Sequence, residues 1–562
     1  MNEGFMTTLY KAQIEKEKFP SIKKLKESIF NFLCTDEYNL NSRGFVVHEE
    51  LKEVTFYVNP IGIVTIDYKV NYLPKDKIIL LSFYPKWSRE GLDPKKWRRN
   101  DNFRVALKVL EFCDLLGDSI RVSIEEYGEI NFSRIYFSDY IDISKWNVSI
   151  FGKRESTLEN ILNNREWVYN LLIDHSKRKD YTFILFSSIV YDKDLDKETR
   201  ENGLDAIKAL KEELQKFGEV DGPYNSLEFK YILETYPKGE NVIVIFIETA
   251  DIIGLLYKNF KKYLDVNNIP SQFISIETIL EKFKFFGVKL NFLLELFSKI
   301  GEQKPLSLKQ VPSLFSIDGV LCLSDIKDAS TKKLQRLFGA LFMYTEPKAY
   351  EEIHIYEDIP YKVKKGRIIF ENETSIERLA KYVHQLGGED KLVMDIFLTR
   401  PWKRKCLDKF IEQLMDFKYV INRVYYISTI RSRFLDETII NNLLKKYETN
   451  YKVHPKFRYN LSEYWHYYAV ISDKIAFVRT STQLRIYPNL FNLYIELLWP
   501  ETGSISKEDI EKIIWFSKKR LYRFQEFFVT KFPEPVWIFR NIRKLYLGEV
   551  NERIKIPLRL MI

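Results

Sequence analysis

The sequence predicts an α/β protein built from more than one domain, and three observations carry that expectation. At 562 residues the chain is long enough for two to four domains. Its hydrophobic fraction of 45% supplies the material for sizeable cores. The pattern of apolar residues also changes twice along the chain. An antiparallel, strand-rich α+β region covers residues 1–165, a strand–helix alternation covers 166–310, and a third arrangement covers 311–562.

In the first region a basic amphipathic helix is expected around "SIKKLKESIFNFL". The segments "GFVVHEE", "EVTFYVN", "GIVTIDYKV" and "IILLSFY" alternate apolar and polar residues between short turns, the pattern of an antiparallel meander. "FRVALKVLEFCDLLG" reads as a helix stopped by glycine, followed by the strands "IRVSIEE" and "INFSRIYFSDY". "DPKKWRRND", residues 93–101, is the densest basic cluster and reads equally as a solvated loop or a nucleic-acid contact.

In the second region "YTFILFSSIV" has the continuous apolar character of a strand buried on both faces. A helix, "KETRENGLDAIKALKEELQKFG", follows, then strands at "EFKYILE" and "NVIVIFIE". Thr249 caps the helix "ADIIGLLYKNFKKYL", "SQFISI" is a short strand, and "KLNFLLELFSKIG" is a helix. This alternation predicts a doubly wound, Rossmann-like parallel sheet, with ligands at the carboxyl ends of its strands. In the third region the strands "GVLCLSDI", "RLFGALFMYT" and "EEIHIYEDIPY" precede helix, strand, helix, strand. That is the element order of a ribonuclease-H-like core. The strands "YYAVIS", "IAFVRTS" and "FNLYIELLW" and a long helix from "KEDIEKIIWF" complete this region.

Composition excludes several classes. The four cysteines, Cys34, Cys113, Cys322 and Cys406, lie far apart and form no C-x-x-C pair, so neither a disulfide framework nor a zinc ribbon is expected. The six histidines show no metal-binding spacing. No secretory signal and no apolar run of membrane-spanning length appears, so a cytoplasmic protein without direct membrane insertion is expected. The net charge of +9 favours a polyanionic partner without identifying one.

One stretch stands out, "YKNFKKYLDVNNIPSQF". Tyr257 and Lys261 fall one helical turn apart on one face, and Asn-Asn-Ile-Pro ends the helix just before Gln272. Lys299 lies in the last turn of a later helix, eight residues after Asn291. Two ammonium groups, an amide and a phenol suit a terminal phosphate and the adjoining base. Taken singly, Lys299 reads as a helix-dipole partner and Tyr257 as a half-buried core residue.

The segment from Tyr257 to Pro305 resembles the MID domain of Argonaute proteins, with Tyr257, Lys261, Gln272, Asn291, Lys299, Gly301 and Pro305 in matching order. The chain beyond it is similar to the PIWI domain, including "TQLRIYPNL" and "FPEPVWIFRNIRKLY". The resemblance spans roughly residues 180–562. It implies that Tyr257 stacks on the first base of a guide strand, that Lys261, Gln272 and Lys299 hold its 5′-phosphate, and that Asn291 contacts the neighbouring nucleotide. It also implies a structural Mg2+ held by the phosphate, Gln272 and the terminal carboxylate of Ile562, with Arg485 as a contact to the nucleic-acid backbone. Glu295 departs from the pattern and stands where it can pair with Lys299.

Cleaving members of the family carry metal-binding carboxylates on adjacent PIWI strands. Here the aligned residues are Ser324 and Thr399, while Asp325 falls one place late, on the other face of its strand, and Asp395 four places early. No catalytic residue is therefore assigned. The expected function is a catalytically inactive, guide-dependent sensor. Its partners are a guide strand (RNA first), a complementary target (DNA first) and a separate effector protein of prokaryotic, antiviral defence. Residues 1–165 are too few for an added PAZ domain, so the chain resembles the short or truncated class, similar to archaeal members. A guided endonuclease with displaced ligands and a plain interaction scaffold are the competing readings.

Overall fold

The computed structural model describes residues 5–15, 19–58, 62–73, 76–87, 108, 111–137, 139–152, 154–236, 241–300, 305–309, 311–327, 335–343, 352–356, 359–364, 366–387, 391–432, 464–480, 490–518 and 556–557. The chain forms two units, residues 1–142 with 429–495, and residues 143–428 with 496–562. The boundaries drawn from sequence at 165/166 and 310/311 do not coincide with this division. Residues 429–495, read as part of the third region, group with the first.

In the first unit a seven-stranded antiparallel sheet runs in the order Phe45–His48, Glu53–Val58, Gly62–Leu73, Ile78–Trp87, Phe5–Gln13, Gly128–Phe137, Ser119–Ile124. The expected meander is present. The sequence reading missed one interior strand, Phe5–Gln13, which inserts between two strands distant from it in sequence. Alternation sets the faces: in Ser119–Ile124 every second residue, Ile120, Val122 and Ile124, is buried. The helix Ile22–Leu33 buries Leu25, Ile29, Phe30 and Leu33 and leaves Lys23, Lys24 and Lys26 exposed. Its first turn is fixed by the Ser21 hydroxyl, which accepts from the Lys24 N–H at 3.1 Å. The strands Trp465–Ser472 and Ile475–Thr480 form a hairpin against Asp139–Asp142.

The second unit contains two sheets that matter for function. The first is parallel. Its strands are β1 (Thr182–Phe186), β2 (Glu219–Tyr224), β3 (Val242–Glu248) and β4 (Ser271–Ser275), in the order β2-β1-β3-β4. The helices α1 (Ala250–Val266) and α2 (Phe286–Lys299) follow β3 and β4. Thr249 caps α1, its hydroxyl accepting from the Ile252 N–H at 3.4 Å. One core cluster joins Ile184, Phe186, Val244, Phe246 and Leu264 to Phe229.

Two sequence assignments change here. "EFKYILE", expected as a strand, lies mostly in a helix, Phe229–Thr235, and the strand is β2, whose residues "EVDGPY" carry little apolar signal. β2 lies at the sheet edge, where the missing N–H of Pro223 is tolerated. Gly222 has φ +90°, and a Cβ there would sit 2.6 Å from the Leu185 carbonyl oxygen, so the close approach of β2 to β1 requires glycine.

The second sheet contains β5 (Gly319–Lys327), β6 (Gln335–Met343), β7 (Glu352–Tyr356), β8 (Val393–Leu398) and β9 (Val420–Ser432), ordered β7-β6-β5-β8-β9. The first three are antiparallel neighbours, while β5, β8 and β9 are parallel. The helices Glu373–Gly387 and Arg404–Asp416 share a core with it through Leu379, Val383, Phe410, Leu414 and Ile396. Within "EEIHIYEDIPY" the strand ends at Tyr356, and Tyr361 opens a separate hairpin with Arg367–Phe370. The backbone of Ile556–Pro557 pairs with β7 and also approaches α1. Among the described residues, no helix is long and apolar enough to cross a membrane.

Candidate nucleic-acid interface

The polar residues singled out in the sequence converge. On α1, Tyr257, Lys261 and Asp265 follow at four-residue spacing and share one face. On α2, Asn291, Glu295 and Lys299 do the same. The start of β4, Ser271 and Gln272, is hydrogen-bonded to both stripes. Lys261 Nζ donates to Ser271 Oγ at 3.4 Å, Lys299 Nζ donates to the Ser271 carbonyl at 3.0 Å and to Gln272 Oε1, and Gln272 Nε2 donates to Glu295 Oε1 at 3.1 Å. These groups gather at the amino end of β4, whereas the sequence reading expects ligands at the carboxyl ends of the strands. The last residue of β3, Glu248, is instead buried and accepts from the Ser188 N–H at 2.7 Å, the Ser188 hydroxyl at 2.8 Å and the Ser226 hydroxyl. Burial raises its pKa.

Tyr257 is positioned from beneath by a file of rings. Phe186 stacks on Phe246 (5.2 Å between centroids), Phe246 stacks on Phe273 (4.7 Å), and Tyr257 meets Phe273 edge to face at 5.0 Å and 75°. Tyr257 as a whole residue keeps 37% exposure. Withdrawal of its hydroxyl from water, with the Asp265 and Glu295 carboxylates nearby, pushes its pKa up to about 12.

The electrostatics differ from the sequence expectation. The resemblance implies two lysines held ready for a phosphate. Here Lys261 Nζ lies 2.7 Å from Asp265 Oδ1, and Lys299 Nζ lies 3.7 Å from Glu295 Oε1. All four side chains are at least nine-tenths buried. Glu295 was noticed in the sequence; Asp265 was missed, although its spacing from Lys261 is that of a helical ion pair. A lysine followed by an aspartate in the last turn of a helix is the less favourable order, because the carboxylate faces the negative end of the dipole. Helix stability therefore does not account for Asp265.

The described residues do not fit the implied Mg2+. Gln272 Oε1, the oxygen assigned to the ion, already accepts from the Lys299 ammonium, and a second cation there would meet the first. Ile562 and Arg485 lie outside the described residues, as does the basic segment 93–101. Asn291 is half-buried on the pocket-facing stripe of α2.

The second sheet brings together the two positions aligned with carboxylates. β5 and β8 pair Leu323 with Leu398, and one residue beyond, Ser324 Oγ and Thr399 Oγ1 are hydrogen-bonded at 2.7 Å. Asp325, on the opposite face, accepts from Arg400 Nε at 2.8 Å through both oxygens. Asp395 is fully buried, bonded to Lys512 at 2.5 Å and Asn422 at 2.8 Å. Among the described residues, no group of three or more His, Cys, Asp or Glu side chains is placed to hold a metal ion.

The sequence matches no family model and no curated protein. The structure is similar to solved ones. It matches the Argonaute of Aquifex aeolicus with a TM-score of 0.51 and 12% identity, over 96% of this chain and 85% of that one. It matches Drosophila Piwi at 0.51 and 11%, over 99% and 90%. It matches Kluyveromyces polysporus Argonaute, solved with a guide RNA, at 0.51 and 10%, over 93% and 78%. At such low identity the likeness speaks for the fold alone, and the fold of this chain is that of the Argonaute and Piwi proteins.

Proposed function

We propose that this protein binds a guide strand by its 5′ end, pairs it with a complementary target, and does not cut that target. The parallel sheet with α1 and α2 is then the MID-type domain, and the β5–β9 sheet the ribonuclease-H-like PIWI-type domain. The observation that carries the reading is the convergence of Lys261, Gln272 and Lys299 on the start of β4, with Tyr257 against Phe273 and Asn291 on the same helix stripe as Lys299, within an Argonaute-type fold. Tyr257 offers a stacking face, and the amide and ammonium groups offer donors in fixed positions. Sequence specificity then comes from base pairing, with the protein holding shape and backbone.

Non-cleavage is supported by Ser324 and Thr399, two neutral hydroxyls bonded to each other where two metal ions need carboxylates. Transmission to a separate effector in antiviral defence rests on the family resemblance. The test loads the full chain with a short labelled strand and adds complementary or scrambled target with Mg2+ or Mn2+. The complementary target is expected to be retained and recovered intact, and Tyr257→Ala to weaken loading. Metal-dependent cleavage, lost in Asp325→Ala, would establish the endonuclease reading instead. Absence of loading by any strand would leave an interaction scaffold.

A further inference from the structure

We propose that Glu295 and Asp265 are specificity residues, and that they set the pocket to accept a 5′-hydroxyl end in preference to a 5′-phosphate. This rests on the guide-binding reading above and replaces the phosphate expected from sequence. The two ammonium groups of the pocket are matched by two carboxylates, at 2.7 and 3.7 Å, all deeply buried. Among the described residues, the charges gathered at the start of β4 therefore balance before any strand arrives. A phosphate entering it brings up to two negative charges against Asp265 and Glu295, where little water is present to screen them.

A hydroxyl brings no charge and both donates and accepts. It donates to a carboxylate and accepts from Lys261, Lys299 or the Gln272 amide, so all the groups keep their partners. The carboxylates already occupy the place of the phosphate: Asp265 is ion-paired with Lys261, and Glu295 accepts from the Gln272 amide, the groups that would otherwise grip it. Asp265 is set against its own helix dipole and Glu295 takes the Gln272 amide, so neither is explained as ordinary helix decoration.

The experiment measures binding of labelled RNA and DNA strands, identical but for a 5′-hydroxyl or 5′-phosphate, to the full chain and to Glu295→Gln, Asp265→Asn and Tyr257→Ala. The wild type is expected to favour the hydroxyl end by about tenfold or more. Glu295→Gln and Asp265→Asn are each expected to move the ratio toward phosphate by about tenfold. In Glu295→Gln the phosphorylated strand is also expected to raise the melting temperature more than the hydroxyl strand does. Should one variant fail to fold, the other and the wild-type ratio still decide. A wild-type preference for phosphate, or a ratio unmoved in the folded variants, overturns the proposal. If Tyr257-dependent loading persists in that case, the guide-binding reading survives; if neither strand binds, both are overturned.

Discussion

Replacing Lys512 with methionine tests whether the buried charges behind the β5–β9 sheet are balanced in the way the distances indicate. The helix α3 (Lys507–Lys518) delivers Lys512 to Asp395 at 2.5 Å and to Asp509 at 3.8 Å. Arg423 approaches Asp509 at 3.1 Å, and the Tyr425 hydroxyl donates to it at 2.5 Å. Two cations thus face two anions, and Asp395 has no exposure at all. Methionine keeps most of the aliphatic stem and removes the charge. Asp395 then retains Asn422 but loses its cation, a loss that costs about 3–5 kcal/mol for a buried pair. At about 2–4 °C per kcal/mol, the calorimetric transition of this unit falls by about 10 °C at neutral pH.

The pH dependence carries a sign. Burial already raises the pKa of Asp395, with Lys512 opposing the shift. A carboxyl whose folded pKa lies above its unfolded value stabilises the fold at low pH and loses that contribution as pH rises through the folded value. Removing Lys512 raises the folded pKa further. The deficit of the variant is therefore expected to grow from acid to neutral pH. Asp395→Asn combined with Lys512→Met restores most of the loss. A single variant that melts within about 2 °C of the wild type at neutral pH, or a double variant no better than the single one, would refute the reasoning.

Three further outcomes are expected. Phe273→Leu removes the ring beneath Tyr257 and weakens strand loading by about threefold, the scale of one aromatic pair; unchanged affinity in a fluorescence titration would mean that the ring file does not position Tyr257. Ser324→Asp with Thr399→Asp places two carboxylates where the hydroxyls now meet, so millimolar Mn2+ raises the melting temperature by about 3 °C in the variant and not in the wild type. Gly222→Ala forces a Cβ against the Leu185 carbonyl at a left-handed backbone position, and an unfolding free energy from urea titration lowered by about 1–3 kcal/mol is expected; an unaffected midpoint would show that the β2 edge relaxes freely.

Local pattern made the antiparallel strands of the first unit readable, because alternation in stretches such as Ser119–Ile124 is set by one buried face. It failed at "EVDGPY", where an edge strand needs few apolar residues, and at "FKYILET", where seven residues are too few for the period to separate strand from helix. Helix spacing and a proline stop related Tyr257, Lys261 and Gln272, but it was the family resemblance that joined Lys299, on a later helix, to them as a set. Their charge state was not legible. Glu295 drew notice as a departure, but Asp265 lies in a run of mixed charges, and only its burial against Lys261 distinguishes it. The Ser324–Thr399 pairing depended on strand register, which the one-place offset of Asp325 foreshadowed. The grouping of residues 429–495 with the amino-terminal unit had no local signal, since it rests on pairings such as Tyr467 with Tyr140 across more than half the chain.

That last grouping bears on how the protein is made. The chain leaves the first unit after residue 142, returns at 429 and leaves again after 495. A ribosome delivering it from the amino end produces the early strands long before the hairpin Trp465–Thr480 that completes their unit. Asp139–Asp142 must wait, with its edge unpaired, while nearly three hundred residues of the other unit emerge. Neither unit corresponds to a single continuous stretch, so expression of residues 1–142 alone yields a fragment lacking its last strands. Dissection of this protein is better done by substitution within the full chain than by cutting it.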